Sequence, residues 1–407
     1  MKWQFKLNVF LFLLLIFGFS LVNALSYSSR NMSSLEQRKL AAKPDFSLES
    51  LFSGEFTRGT EAFFADHFAY REKMVQFGAL VKELKGLCGI AHASIIQQGS
   101  DNTAQKLGAA AAASPATQYL IYKDRAYTLF NYSAPSAEAY AAALNGFKAA
   151  VDPGVGVYSM LVPTAAEFME RKYRELSDSQ KIAFDHINAR LNAEIGQIDA
   201  YGAMERHAAE AIYFRTDHHW TALGAYYAYT ELMKALGEEA VPLSAYSTGE
   251  IEGFLGTAYK ATLNFRLKKH PDTITYYQPT ANYTYTRYLK TGKPVAGEVV
   301  NPDYAQATNG FYAVFLGGDF PWGEIETGVR NGKRIAVVKD SYGNALIPFL
   351  LPHFETVYYV DPRSYSGSLI DFVREHQVTD VLFLNNSTVA RTPGMAGLIN
   401  GLVEKAK

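Results

Sequence analysis

The chain has 407 residues, 48% of them hydrophobic and 14% aromatic, ample for one large buried core or two smaller ones. A formal net charge of −1 gives a nucleic-acid partner no electrostatic support. The single cysteine, Cys88, excludes an intramolecular disulfide and a zinc site built on thiolates.

Lys2 and Lys6 flank the start of an apolar run over residues 7–22, interrupted only by Asn8, Gly18 and Ser20, and a Val-Asn-Ala sequence closes it at 22–24. A positive start, an apolar middle and a cleavable end make residues 1–25 a signal peptide or membrane anchor. The run is shorter than the roughly 20 residues of a full span. Either form places the remainder outside the cytoplasm, secreted or held at the outer face of the membrane. Export with one cysteine fits a bacterial chain, since many eukaryotic secreted domains use disulfides. Residues 26–48 are polar and basic without a period and read as a tether. Residues 49–89 carry Phe63, Phe64, Phe68, Met74, Phe77, Leu80 and Leu84 close to helical spacing and end on Gly86 and Gly89, which predicts an amphipathic docking helix. Residues 100–118 are low in complexity, so 49–117 is expected to be a helical segment followed by a flexible linker.

A larger domain is expected over 118–407. Alternation over 119–130 predicts a hairpin with Lys123 and Asp124 in its turn. A helix over 135–150, a buried strand over 156–164, a long helix over 165–194, a short strand over 195–201 and a short helix over 203–210 follow. The helix over 222–236 stops at Gly237. Many Tyr and Thr residues in short segments then predict a β-rich insertion over about 238–330. Strands are expected again over 334–341, 356–363 and 378–387, with helices after each, one of them near 366–376. Apolar strands alternating with helices imply a parallel sheet covered on both faces, with ligands at the carboxyl ends of its strands. Ser341, Arg363 and Asn386 fall there.

Two stretches carry chemistry. In FRTDHHWTALGA, residues 214–225, Asp217 and His219 stand at i and i+2. In an extended segment they share a face, so Asp217 could orient His219 while His218 points away and Trp220 walls the site. In VVKDSYGNA, residues 337–345, Ser341 sits at a strand-to-helix turn that Gly343 allows to be tight. Its hydroxyl would lie near backbone N–H groups suited to an oxyanion, and it needs a base that is itself oriented by an acceptor. The plainer alternatives are that His219 and Asp217 cap the following helix and that Ser341 is a turn residue.

AIYFRTDHHWTALGAY is similar to the signature of the DHHW proteins, exported bacterial proteins of the SGNH-hydrolase type, which resemble the periplasmic enzymes that O-acetylate alginate. The resemblance extends to ADHFAYRE (65–72), GFLGTAYKAT (253–262), FLGGD (315–319), KDSYGN (339–344), VDPR (360–363) and VLFLNN (381–386), and covers most of residues 45–400. It implies a three-layer SGNH-like α/β fold with Ser341 as nucleophile, His219 as general base and Asp217 as its orienting acid. It also implies O-acetyl transfer, or ester hydrolysis, on a cell-surface or exopolysaccharide glycan. The Asp-x-His element precedes the serine, whereas ordinary SGNH esterases carry it near the C-terminus; the permuted order matches the alginate branch. No G-x-N-D block supplies an oxyanion-hole Asn, so Asn386, then Asn385, stand in for it. Gly317 or Gly318 could offer a backbone N–H, Arg363 could hold an anionic or hydroxyl-rich ligand, and Trp220 and Tyr342 complete the substrate-binding candidates. No cofactor is implied. A polysaccharide acceptor and a membrane-bound acyltransferase that supplies the acetyl donor are the expected partners.

The Asp-His-His run also resembles that of the DHH metal phosphoesterases. Those require upstream aspartates including D-x-D, and no D-x-D precedes Asp217. Adjacent histidines do not readily face one ion, so no metal is expected. A non-catalytic polysaccharide-binding or scaffold subunit of an acetylation machinery is the main alternative, and a DHH-type metal phosphoesterase the lesser one.

Overall fold

The computed structural model of the chain describes residues 2–25, 32–33, 38–71, 73–74, 77–78, 81, 93–97, 117–306 and 310–406. The helical positions Leu80, Leu84, Gly86 and Gly89, the lone Cys88, part of the expected tether and nearly all of the low-complexity stretch lie outside the described residues. The chain divides into two units, Met1–Gly89 with Leu263–Phe265, and Ile90–Thr262 with Arg266–Lys407.

In the first unit, α1 spans Lys2–Leu25, and its residues Trp3–Asn23 form a helix long and apolar enough to cross a membrane. The helix is longer than the apolar run because Trp3, Gln4 and Lys6 are compatible with helix and continue it. Over residues 48–67 the expected docking helix is divided into α2 (Leu48–Phe52) and α3 (Glu55–His67). Ser47 caps α2, and Gly54, at φ 73°, breaks the run in the left-handed region that glycine tolerates.

In the second unit, β1 (Ala93–Gln97), β2 (Gln118–Tyr122) and β3 (Arg125–Thr128) form an antiparallel sheet, with the expected turn at Lys123 and Asp124. Helix α4 (Ala134–Ala150) is capped by Ser133 and leads into β4 (Gly156–Val162). The long helix expected over 165–194 is absent. Two 3-10 turns, Ala165–Phe168 and Arg171–Leu176, precede α5 (Gln180–Asn188). Polar side chains take over the backbone there. Ser177 Oγ and Asp178 Oδ2 accept the Phe130 and Tyr132 amides, and Glu167 accepts the Gln180 amide at 2.7 Å. Strand β5 (Ile195–Ile198), α6 (Ala200–Arg206) and α7 (Ala222–Ala235) follow.

The expected insertion is only partly separate. Strands β6 (Thr248–Phe254) and β7 (Asp272–Tyr277) pair with each other around α8 (Thr257–Thr262). Strands β8 (Tyr283–Tyr288), β9 (Pro294–Gly297) and β10 (Trp322–Thr327) instead extend the central sheet. That sheet is completed by β11 (Arg334–Lys339), β12 (Thr356–Val360) and β13 (Asp380–Asn386), in the order β9-β8-β10-β12-β11-β13-β4-β5. The strands from β12 to β5 are parallel, and β8, β9 and β10 join antiparallel at one edge.

The alternation of β11 shows the three layers. Ile335 and Val337 pack into the core that holds Trp220 and α7. Ala336 and Val338 pack into the opposite core with α4, α5, α10 (Leu369–Glu375) and α11 (Gly394–Val403). The fold is therefore a three-layer, mixed α/β sandwich. The parallel strands end together at Val162, Ile198, Lys339, Val360 and Asn386, and the candidate site lies at this end.

Candidate active site

Residues 214–220 form a closed loop, where an extended segment was expected. Tyr213 bridges Trp220, and the Thr221 amide donates to the Ile212 carbonyl at 2.9 Å. The relation of Asp217 to His219 is an Asx turn: Asp217 Oδ1 accepts the His219 backbone N–H at 2.9 Å and the ring Nδ1–H at 2.5 Å. Asp217 Oδ2 accepts the Thr257 amide at 2.7 Å and the Thr257 hydroxyl at 2.9 Å, at the start of α8. Burial alone would raise the carboxyl pKa. The neighbouring His219 and His218, and the hydrogen bonds from His219 and Thr257, reverse this and hold Asp217 well below the usual carboxylate range.

Gly256 makes room for this contact, since a Cβ there would stand 2.2 Å from the Asp217 Cβ. Gly256→Ala is therefore expected to displace Asp217 and destabilise the protein by about 1–3 kcal/mol, read by denaturant titration of the purified variant.

The loop is anchored from behind by Asp272, at the start of β7. Its carboxylate accepts the Arg215 amide at 3.0 Å, the Thr216 amide at 2.7 Å and the Thr216 hydroxyl at 2.7 Å.

Strand β11 ends at Lys339, and residues 340–342 turn into the short helix α9 (Gly343–Leu346). Gly343 is needed because a Cβ would meet Lys339 Cδ at 2.7 Å. Buried Asp340 ties the turn to the end of β13, accepting the Tyr342 amide at 2.9 Å and the Asn386 amide at 2.8 Å. Burial pushes the Asp340 carboxyl up, and these N–H donors oppose the shift.

Ser341 Oγ lies 2.6 Å from His219 Nε2. An ionised Asp217 only accepts, so Nδ1 carries the imidazole proton and the Nε2 lone pair faces the serine hydroxyl. The Trp220 Nε1–H donates to the Tyr342 carbonyl at 3.0 Å, and the Tyr342 hydroxyl donates to the His218 carbonyl. The two halves of the site are thus cross-braced. His218 is partly exposed, and its Nδ1 meets the Thr257 hydroxyl oxygen at 2.5 Å. Burial, then the adjacent His219, push its pKa down to about 4, so His218 is neutral at pH 7.

Several expected contacts serve other purposes. Trp220 and Tyr342 are wholly buried and brace the two loops; they do not line an accessible surface. Asn385 points into the opposite core, where its Oδ1 accepts from Tyr140 at 2.8 Å. The Asn386 side-chain amide donates to Asp340 at 2.9 Å, and its Oδ1 accepts the Thr388 amide, so it holds the Ser341 turn in place. The N–H groups of Gly317 and Gly318 donate to the Ala313 and Phe315 carbonyls, at 3.0 and 3.2 Å. The backbone N–H of Ser341 itself makes no hydrogen bond among the described residues. Arg363 is held by Asp361, with Nε at 2.8 Å, and by Asp319 at 2.9 Å, while part of its guanidinium stays exposed.

Asp217, His218 and His219 also place one ligand atom each within 4.8 Å of one another. Their hydrogen bonds compete with a metal there. His219 uses both ring nitrogens, on Asp217 and Ser341, and the Asp217 oxygens are taken by His219 and Thr257.

Sequence reasoning missed Thr257, Asp272, Tyr312 and Asp319. Thr257 and Asp319 lie inside the GFLGTAYKAT and FLGGD stretches already singled out, which was their only signal. Asp319 accepts from Asn344 at 2.9 Å and pairs with Arg363, and buried Lys339 Nζ stands 3.5 Å from it. Burial opposes ionisation of Asp319, but Lys339 and Arg363 override it and hold the carboxyl well below its ordinary range.

The family model of the DHHW protein matches residues 97–360. A DHHW family protein from Eubacterium siraeum DSM 15702 is 34% identical, with a TM-score of 0.65 over 72% of this chain and 96% of that one. PatB1 of Bacillus cereus, solved with a sulfonyl adduct, is 18% identical, with a TM-score of 0.57 over 67% of this chain and 94% of that one. The O-acetyltransferase domain of Pseudomonas putida AlgJ is 13% identical, with a TM-score of 0.40 over 68% and 96% of the two chains. No curated protein sequence matches the chain. The matched segment includes the 214–220 loop, Thr257, Asp272 and the Ser341 turn, and by sequence and by structure the chain belongs to the DHHW protein family.

Proposed function

We propose that the protein is an exported acyl-ester enzyme of the SGNH type that transfers an acetyl group to a hydroxyl of a cell-surface glycan. The observation that carries this reading is the continuous relay from Ser341 Oγ through His219 to Asp217, at 2.6 and 2.5 Å. As Ser341 Oγ attacks the donor carbonyl carbon, its proton passes to His219 Nε2. Asp217 supports the resulting imidazolium, and the Ser341 N–H, which has no partner among the described residues, donates to the carbonyl oxygen as it becomes an oxyanion. Collapse breaks the bond to the leaving oxygen, which takes the proton back from His219 and leaves acetyl-Ser341. A glycan hydroxyl then gives its proton to His219, attacks the ester and restores Ser341. Water in the same position makes the reaction a hydrolysis. The apolar α1 supports the export part of this reading, and the sequence resemblance to the alginate-acetylating enzymes supports the glycan acceptor and the membrane-bound donor partner.

The test is hydrolysis of p-nitrophenyl acetate by the full chain in detergent, wild type against Ser341→Ala, with and without a chelator. Loss of activity in Ser341→Ala, unaffected by chelation in the wild type, is expected. Equal activity in both proteins would sink the reading.

A further inference from the structure

The ring of Tyr312 lies flat against the imidazole of His219, with centroids 4.0 Å apart and planes 12° from parallel. Tyr312 comes from the turn Phe311–Val314, far in sequence from the loop it covers. Its hydroxyl is buried beside the Trp220 indole. Burial, then the carboxylates of Asp217, Asp319 and Asp340, push the phenol pKa far up and keep it neutral. What the residue offers the base is the electron-rich face of its ring.

We propose that Tyr312 is the positioning residue of the general base: it fixes the plane of the His219 ring, and its π face favours the imidazolium that forms when Nε2 takes the Ser341 proton. The proposal rests on the acyl-transfer reading. The other groups facing His219 act differently. Asp217 engages Nδ1 in the ring plane, and Ser341 engages Nε2. His218 is 3.9 Å away at 35° and is neutral at pH 7; Tyr342 is 5.4 Å away at 45°. Asp319 and Asp340 act at longer range through charge. Among these, Tyr312 alone is close and nearly parallel to the imidazole.

The test reads nucleophile activation without a natural substrate: the rate at which phenylmethanesulfonyl fluoride modifies Ser341 in the full chain, followed by intact mass against pH. Tyr312→Phe keeps the face and is expected to match wild type within about twofold. Tyr312→Leu removes the face and is expected to lower the plateau rate about 3- to 10-fold, the range of a cation–π contact. Its acid limb should move to lower pH by about half a unit, because a less stabilised imidazolium gives up its proton sooner. A merely structural role would lower the rate without moving the limb. An unmoved limb in Tyr312→Leu, with wild-type Ser341 still modified, would overturn the proposal alone. Equal losses in the Phe and Leu variants would also overturn it, by assigning the effect to the hydroxyl. Failure of the wild type to react would remove the acyl-transfer reading and this inference with it. Should Tyr312→Leu not fold, Tyr312→Met gives the same readings.

Discussion

Asp217→Asn is expected to lower kcat for ester turnover by about 10⁴-fold, the scale seen when the acid of a serine triad becomes an amide. The carboxylate accepts both the backbone N–H and the ring Nδ1–H of His219 on one oxygen. An amide in its place can turn its NH₂ toward Nδ1. That would favour the tautomer with the proton on Nε2, and the lone pair facing Ser341 Oγ would be lost. The other Asp217 oxygen accepts two groups of Thr257, and an Asn can still serve there, so the fold should survive. Stability against pH supplies a second readout. The folded Asp217 carboxyl is held below its unfolded value, so its stabilising contribution is fully present above the unfolded carboxylate pKa of about 4 and is lost as pH falls below it. Thermal midpoints of wild type should therefore fall more steeply below about pH 4 than those of Asp217→Asn. An unchanged kcat in Asp217→Asn would remove the acid from the mechanism.

Asp272→Ala is expected to produce the largest loss of stability, about 3–5 kcal/mol by denaturant titration. Its carboxylate is buried and accepts the Arg215 amide, the Thr216 amide and the Thr216 hydroxyl, and it pairs with Arg215 Nε at 3.2 Å. Removing it strands those donors where water cannot replace it. Because Thr216 immediately precedes Asp217, ester turnover should fall with stability. Asp272→Asn keeps one acceptor oxygen and should recover part of both. A midpoint shift in Asp272→Ala of under about 1 kcal/mol would mean that the loop is held by other contacts.

Much of the fold was legible because burial leaves a periodic trace. The strands at 156–162, 334–339, 356–360 and 380–386 are continuous apolar runs, as expected of strands covered on both faces. The expected helix over 165–194 failed because Glu167, Ser177, Asp178 and Ser179 look like ordinary polar helix residues in sequence. Their use as backbone acceptors for segments as distant as Phe130 and Tyr132 is visible only once the chain is folded. The insertion was misjudged for a related reason. Alternation marks β8 and β10 as strands but does not say which sheet they join, and that is decided by β10 pairing with β12.

At the site, residue chemistry singled out Ser341, His219 and Asp217, since a nucleophile, a base and an acceptor are recognisable types and each stood in a distinctive local pattern. It misread several of their neighbours. Trp220, Tyr342, Asn386 and the Gly317–Gly318 pair have side chains or amides that suit a ligand, and nothing local indicates that those groups are already spent within the protein.

The apolar N-terminal helix, the alternation of buried strands and helices, and the family are legible from composition, period and local motifs, and the same motifs single out Ser341, His219 and Asp217 as candidates. Folding brings Ser341 to His219 from 122 positions away in the chain, sets Thr257 and Asp272 against Asp217 and its loop, and lays Tyr312 against the His219 ring. Those are contacts between segments remote in the chain. They depend on where the sheet brings strand ends together, and no local pattern encodes that meeting point.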